Sequence, residues 1–384
     1  MSTFSFNTVA RIVHGDGEAQ NLAAHCTAQN IGSVLLVTDP GLVQLGMIAP
    51  IQKAMELAGL KVSLYSGVRE DPPEDVVLDA VALGKRDQVD GLVAVGGGSS
   101  MDVAKVAAAL MVSQQSLAEM YGVDQVSGGR MPLILVPTTA GTGSEVTPVS
   151  VITTGKTTKA GVSSSVLLPD VAILDASLTL GLPPAATAMT GVDAMVHAIE
   201  AYTSKIKKNP MSDSLARSAL GELAGHIRTA VHAGQQREAR ASMLLGAMQA
   251  GQAFANAPVA AVHALAYPLG GHYKIPHGLS NSLVLPSVLR FNLPEAASLY
   301  AELAEIVLQA PITGSDEAKA VALIQGIESL IDELGLPATL KAAGVSEESL
   351  EMLAEDAMKQ QRLLVNNPRD VLREDALAIY HAAF

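Results

Sequence analysis

Four residues of this sequence have the types and the spacing of a divalent-metal site. Asp193 and His197 stand four residues apart in GVDAMVHAIEAY, so on a helix they share one face among apolar neighbours. His263 begins the stretch HALAYPLGGHYKIPHG, and His277 lies near its end. One carboxylate and three imidazoles form a ligand set that suits iron(II) or zinc(II). The alternative is one buried Asp–His hydrogen bond beside two ordinary, partly buried histidines.

A glycine-rich segment, VGGGSSMD at 95–102, has the composition of an anion-binding loop. Glycines let a backbone approach a ligand closely, and a helix N-terminus offers free N–H groups to a diphosphate. The segment departs from the G-x-G-x-x-G fingerprint, because Met101 replaces the third glycine, and it lacks the GK[ST] of a nucleotide-hydrolysing loop. The alternative is a tight strand-to-helix turn with Ser100 as the helix cap.

A second loop of this kind, PTTAGTGSE at 137–145, follows the apolar run PLILV. Ligands of open α/β sheets bind along the carboxyl edge of the strands, where both loops would lie. Asp39 ends another predicted strand at that edge. Its carboxylate could accept hydrogen bonds from the ribose hydroxyls of NAD and would repel the 2′-phosphate of NADP. The alternative for Asp39 is a turn or helix cap before Pro40.

The elements that must position these residues change in character along the chain. Apolar runs predict strands at 33–39, 61–67 and 90–100, helical spacing predicts helices at 47–60, 74–88 and 101–112, and further strands lie within 132–153 and 170–178. This alternation predicts a parallel, doubly wound sheet. From about Leu182 the sequence becomes alanine-rich and helical. We therefore predict an α/β domain at 1–182 and an all-α domain at 183–384.

Bulk properties exclude several classes of function. The chain has 384 residues, long enough for two domains, and a net charge of -13 that disfavours binding to nucleic acid or to an anionic membrane. A single cysteine, Cys26, excludes an intramolecular disulfide and a cysteine-rich metal site. No signal-peptide pattern or membrane-length apolar run is present. We therefore expect a cytoplasmic protein.

Long motifs resemble those of the iron-containing (group III) alcohol dehydrogenases. They are GGGSSMDVAK, PTTAGTGSEVTPVSVIT, LLPDVAILD, GVDAMVHAIEAYTS, AFANAPVAAVHALAYPLGG and PHGLSNSLVLP, in the family's order and spacing. The resemblance covers essentially the whole chain. It implies the fold shared with dehydroquinate synthase, in which a dinucleotide-binding α/β domain and a helical domain form a cleft. It also implies NAD, iron(II) or zinc(II), a small alcohol or aldehyde substrate, and a homodimer or larger homo-oligomer.

The resemblance also assigns individual residues. It implies metal ligands at Asp193, His197, His263 and His277, and catalytic or substrate-cleft roles for Phe254, Tyr267 and His277. It implies NAD contacts at Asp39, Asp71, Gly96, Gly97, Gly98, Ser99, Ser100, Thr138, Thr139, Thr147, Lys159 and Leu178. Val149 and Ala253 would add to an apolar substrate pocket.

Two positions depart from the family pattern. Many members carry histidine where this chain has Tyr267, which cannot replace it as a metal ligand of the same kind. Asp71, in Glu-Asp-Pro-Pro at 70–73, stands where an asparagine usually meets the cofactor. A negative charge beside a diphosphate is unfavourable unless it faces ribose or solvent.

Other functions remain possible from the sequence. The related hydroxyacid–oxoacid transhydrogenases carry a tyrosine in a similar context, but they need a cation for the substrate carboxylate, and none lies beside the metal motifs. Dehydroquinate synthases and polyol dehydrogenases have other ligand patterns. A non-enzymatic protein with a closed, structural metal site is the remaining alternative.

Overall fold

The structure, a computed structural model, describes residues 3–155 and 158–384. The chain forms two compact units. The first, here called the α/β unit, comprises Asn7–Thr139 and Gly143–Gly181. The second, the helical unit, comprises Leu182–Phe384 together with Ala140–Thr142 and the start of the chain through Phe6. The helical unit is therefore assembled from separate stretches of sequence.

The α/β unit contains all the strands of the described residues. They are β1 (Arg11–His14), β2 (Ser33–Val37), β3 (Lys61–Tyr65), β4 (Gly91–Gly96), β5 (Gly122–Val123), β6 (Leu133–Pro137), β7 (Val149–Thr154), β8 (Thr158–Ser163) and β9 (Val171–Leu174). The helices of this unit are α1 (Leu22–Ala28), α2 (Pro40–Gln44), α3 (Ile48–Leu57), α4 (Glu74–Arg86), α5 (Gly98–Leu110) and α6 (Leu117–Met120).

The main sheet has the order β1-β9-β6-β4-β2-β3, and every pair of neighbours is parallel. The central strands are apolar along their whole length, because each face of the sheet packs against its own hydrophobic cluster. This confirms the predicted parallel sheet. A smaller sheet, β5-β8-β7, contains the antiparallel β7–β8 pair.

The helical unit contains α7 (Pro184–Thr203), α8 (Pro210–His232), α9 (Arg237–Asn256), α10 (Ala261–Tyr273), α11 (His277–Leu308), α12 (Asp316–Glu333), α13 (Leu350–Ala357), α14 (Gln361–Leu364) and α15 (Arg373–Ala383). Helix α7 packs against α8, α9 and α11, and all its residues at 191–203 are buried. Most of α10 is buried too. Polar side chains on these two helices must therefore be paired or bind a ligand. Among the helices of the described ranges, none combines the length and the apolar character needed to span a membrane.

Candidate metal centre and dinucleotide-binding loop

The four predicted metal ligands come together inside the helical unit. Helix α7 carries Asp193 and His197 one turn apart, α10 carries His263 in its first turn, and α11 begins at His277. One potential ligand atom from each residue lies within 4.8 Å of the other three. The Asp193 Oδ1 atom is 3.9 Å from His263 Nε2 and 3.6 Å from His277 Nε2.

The electrostatics of the cluster favour the protonation states that bind a metal. Burial lowers the pKa of His197, against the attraction of Asp193, and burial together with the neighbouring imidazoles holds the pKa of His263 well below its ordinary value. Burial by itself would raise the pKa of Asp193, but the three histidines and the Asn281 amide outweigh it and lower that pKa. An ionised carboxylate beside neutral imidazoles presents lone pairs to a cation.

Two further observations support the fit of these four residues to a divalent cation. Within ranges 3–155 and 158–384, no residue is a hydrogen-bond partner of the buried His197 Nδ1 atom. The Asn281 Nδ2 atom lies 2.6 Å from Asp193 Oδ1 and 3.3 Å from Nε2 of both His263 and His277, so its amide donor occupies the region where these ligand atoms converge. A donor set of three nitrogens and one carboxylate suits iron(II) or zinc(II).

One side of the cluster is open. The side chains of Asp193 and His263 are each 3% exposed, whereas that of His277 is 32% exposed. The Phe254 ring, on α9, stacks on His197 with 4.4 Å between centroids, and the Tyr267 ring, on α10, lies 6.1 Å from His277 at 51°. A catalytic metal site needs an open position, and His277 is the one member of the four that is only partly buried.

Sequence reasoning missed residues that support the ligands. Glu200 lies three residues after His197, and Asn281 lies four residues after His277, so helical spacing from a ligand was the available signal. Burial raises the pKa of Glu200 to about 7. Arg362, on α14, was missed too, and its charge helps to lower the pKa of His263. His272, which matched no ligand spacing, pairs with Asp356.

In the α/β unit, the glycine-rich loop joins β4 to α5. Gly96 ends β4, Gly97 is the N-cap, and α5 begins at Gly98, three residues before the predicted start. Ser99 and Ser100 therefore lie in the first turn. The Ser100 N–H donates to the Gly97 carbonyl at 3.1 Å, and the N–H groups that precede it in the turn are the ones available to an anion. A Cβ at Gly96 would stand 2.5 Å from Ser100 Oγ, so the turn requires glycine there.

Other predicted cofactor residues gather at the same sheet edge. Thr138 follows β6, and its N–H donates to the Gly96 carbonyl at 3.0 Å, while Thr139 adjoins Gly97. Asp39 follows β2 and caps α2, since its Oδ1 accepts from the Leu42 N–H at 3.0 Å. Its Oδ2 atom faces Gly96. Asp39 can therefore cap α2 and still place a carboxylate oxygen beside the glycine-rich loop.

The remaining predicted cofactor residues have protein partners. Lys159 Nζ pairs with Asp71 Oδ1 at 2.7 Å, and Asp71 has a φ of 49°. The positive charge of Lys159 offsets the negative charge of Asp71, which stands where an asparagine is usual in the family. Thr147 Oγ1 accepts from Lys105 Nζ at 3.2 Å, and Leu178, after β9, packs on the hydrophobic core. Val149 is partly buried and Ala253 is fully buried.

A buried polar cluster behind the loop was not predicted. The Lys105 ammonium, on α5, is fully buried and donates to Ser144 Oγ at 2.7 Å and to the Val149 carbonyl at 2.8 Å. Burial lowers its pKa to about 8, and burial raises the pKa of the nearby Glu145 to about 7. Asp102 accepts from Ser144 Oγ and from the Val151 N–H. These contacts fix the 143–151 segment to α5.

A glycine-rich loop at the carboxyl edge of a parallel sheet suits a dinucleotide, and an aspartate–trihistidine cluster suits a divalent metal, so the two together indicate the class of metal-dependent dehydrogenases. The chain belongs to the iron-containing alcohol dehydrogenase family. Residues 9–176 match the family described as "Iron-containing alcohol dehydrogenase", and residues 187–384 match "Fe-containing alcohol dehydrogenase family, C-terminal". The resemblance inferred from the motifs is thereby confirmed.

Individual relatives are similar over their whole length. Long-chain-alcohol dehydrogenase 1 of Geobacillus thermodenitrificans (strain NG80-2) is 39% identical over 386 residues, which cover 98% of this chain and 97% of that protein. A crystal structure of 1,3-propanediol oxidoreductase superposes with a TM-score of 0.96 at 35% identity and covers 100% of both chains. Sulfoacetaldehyde reductase from Bifidobacterium kashiwanohense, in complex with NAD+, gives 0.88 at 29% identity, with 100% and 99% covered. The protein is accordingly an alcohol or aldehyde oxidoreductase.

Proposed function

We propose that this protein is an NAD-dependent, divalent-metal-dependent alcohol dehydrogenase that also reduces the corresponding aldehyde. The observation that carries the proposal is the cluster of Asp193, His197, His263 and His277, whose potential ligand atoms all lie within 4.8 Å of one another. The names of the relatives, and the NAD+ complex of the sulfoacetaldehyde reductase, support the same reaction class.

The residues of the helical unit have distinct tasks in this proposal. A bound iron(II) or zinc(II) would supply a Lewis acid that polarises an alcohol or carbonyl oxygen. Asp193 would offset one of the two charges of the cation, and the buried imidazoles hold their positions by packing. His277, on the open side, borders the approach to the centre. The rings of Phe254 and Tyr267 shield the histidines from water and shape an apolar surface for a small substrate.

The residues of the α/β unit bind the nucleotide in this proposal. NAD would supply the hydride acceptor. The free N–H groups at the start of α5 receive the diphosphate, and Gly96 and Gly97 let the backbone approach it closely. The Asp39 carboxylate binds ribose hydroxyls and disfavours the 2′-phosphate of NADP. The Lys159–Asp71 pair leaves little net charge beside the cofactor.

The first experiment measures NADH formation on a panel of small alcohols. The protein is stripped of metal and reloaded separately with Fe(II) and Zn(II). Turnover of added NAD that depends on the metal is expected, and it identifies the metal and the alcohol class. Tight binding of metal and nucleotide without net NADH formation would contradict the proposal. Hydride exchange between a hydroxy acid and an oxo acid would then identify a transhydrogenase.

The ligand assignment is tested with His263→Ala. This variant should lose metal and activity together, whereas His226→Ala, on the half-exposed surface of α8, should keep both. Full activity with intact metal content in His263→Ala would refute the assignment.

We also propose that the protein is a cytoplasmic homo-oligomer, which cell fractionation and light scattering would test. We propose a domain boundary at 182/183, which limited proteolysis would test.

A further inference from the structure

Glu200 makes contacts that connect the two helices carrying three of the metal ligands. It lies on α7, seven residues after Asp193 and three after His197, and its side chain is 5% exposed. Its Oε1 atom accepts from the Val262 N–H at 2.7 Å, and its Oε2 atom lies 2.6 Å from His263 Nδ1. Both carboxylate oxygens thus have partners at the start of α10.

The contact with His263 selects one tautomer of that imidazole. With the Glu200 carboxylate ionised, it accepts hydrogen bonds and donates none, so the proton lies on Nδ1 and the lone pair on Nε2. Nε2 is the atom that faces Asp193 Oδ1 and Asn281 Nδ2. Glu200 therefore presents the lone pair of His263 to the point where the ligands converge.

The contact with Val262 positions the helix itself. Ala260, the N-cap of α10, provides no side-chain cap, so the free N–H groups of the first turn need an acceptor from elsewhere. Glu200 supplies it, and a negative charge at a helix N-terminus is favourable. A single side chain thus connects the start of α10 to the helix that carries two of the ligands.

We propose that Glu200 is a positioning residue that holds His263 in the tautomer and orientation needed for metal binding. This inference rests on the proposed function, because it assumes a divalent metal in the cluster. Partners of this kind orient metal-bound histidines, and their loss weakens metal binding by about 10–100-fold.

The test is the metal affinity of Glu200→Gln, measured by competition with a chelator for Co(II) and Zn(II). Glutamine has one carbonyl oxygen, so its amide group must face either the Val262 N–H or His263 Nδ1. The dissociation constant should rise about 10–100-fold. The matched control is Glu302→Gln, whose half-exposed carboxylate accepts from Tyr202 on α7, and its affinity should equal that of the unchanged protein.

A second readout separates orientation from general destabilisation. Nitrogen-15 NMR of histidine-labelled, metal-free protein should show the Nδ1–H tautomer of His263 in the unchanged chain and a shift toward Nε2–H in Glu200→Gln. If that variant does not fold, Glu200→Asp, which keeps the charge but shortens the side chain, should still weaken metal binding. Unchanged affinity in the folded variant would overturn the proposal. Failure of the unchanged protein to bind metal would instead overturn the proposed function.

Discussion

Gly278→Ala tests whether the packing of α7 against α11 sets the geometry of the metal centre. Gly278 is the second residue of α11 and adjoins His277. A Cβ added there would lie 2.4 Å from the Met189 carbonyl oxygen and 2.8 Å from its carbon. These are backbone atoms, which cannot rotate away. In a regular helix that carbonyl accepts the N–H of residue 193, so the collision falls on the peptide that holds Asp193.

The expected effect follows from the distances. To lengthen the contact between the added Cβ and the Met189 oxygen from 2.4 Å to an ordinary 3.4 Å, the two helices must move apart by about 1 Å. The core around them is close-packed and resists this movement. Metal–ligand distances tolerate only about 0.2 Å. Overpacking of this kind costs about 1–3 kcal/mol. If metal binding restores the original helix spacing, that free energy weakens the metal affinity by about 5–150-fold.

The assay is chelator competition with Zn(II), together with thermal unfolding of the metal-free form. Gly221→Ala on α8 is the matched control, because its added Cβ would meet nothing closer than 3.9 Å. Alanine there should leave the metal affinity unchanged and raise stability by up to about 1 kcal/mol. If Gly278→Ala bound metal as tightly as the unchanged protein and unfolded at the same temperature, the helix spacing would not determine the site.

Three further predictions concern the α/β unit. Lys105→Met should lower the free energy of unfolding of this unit by about 3–5 kcal/mol, as measured in urea, because it leaves buried acceptors without a donor. The control Lys85→Met, at an exposed position, should leave it unchanged. Glu145 has a folded pKa raised to about 7 from 4.5, so its contribution to stability is complete below about pH 4.5 and is lost as the pH rises to about 7. Glu145→Gln should flatten this part of the pH profile, and a persistent slope would contradict the assignment. Asp39→Asn keeps an acceptor for the α2 cap but removes the negative charge. The ratio of NADP to NAD turnover should therefore rise at least about tenfold, which corresponds to about 1.4 kcal/mol. The unfolding temperature should not change.

The sequence was most informative where a local pattern was sufficient. The apolar runs of β2, β4 and β6 predicted buried parallel strands, because such strands need no polar alternation. Asp193 and His197 stood out because two polar residues one turn apart in an apolar helix are costly unless they bind something. His263 and His277 were added because the residue types completed a ligand set.

Residues whose roles depend on tertiary contacts were missed. The spacing within α7 places Glu200 near His197, but its contacts with α10, more than sixty residues away in sequence, become visible only in the structure. The sequence predicts only an ordinary helix around Lys105, although its ammonium is buried against the 143–151 segment. The predicted start of α5 is three residues too late, because glycine is a poor helix former and the sequence alone does not favour a helix at Gly98.

The helical unit has consequences for recombination between related genes. It takes in Ala140–Thr142, although that stretch is encoded far from 182–384. A Cβ at Gly141 would stand 2.7 Å from the Thr190 Cβ, so this stretch packs closely against α7, the helix that carries two of the ligands. A chimera joined only at residue 182 would therefore combine the metal ligands of one parent with the 140–142 stretch of another. Exchange of the metal site between relatives therefore requires the transfer of Ala140–Thr142 together with Leu182–Phe384.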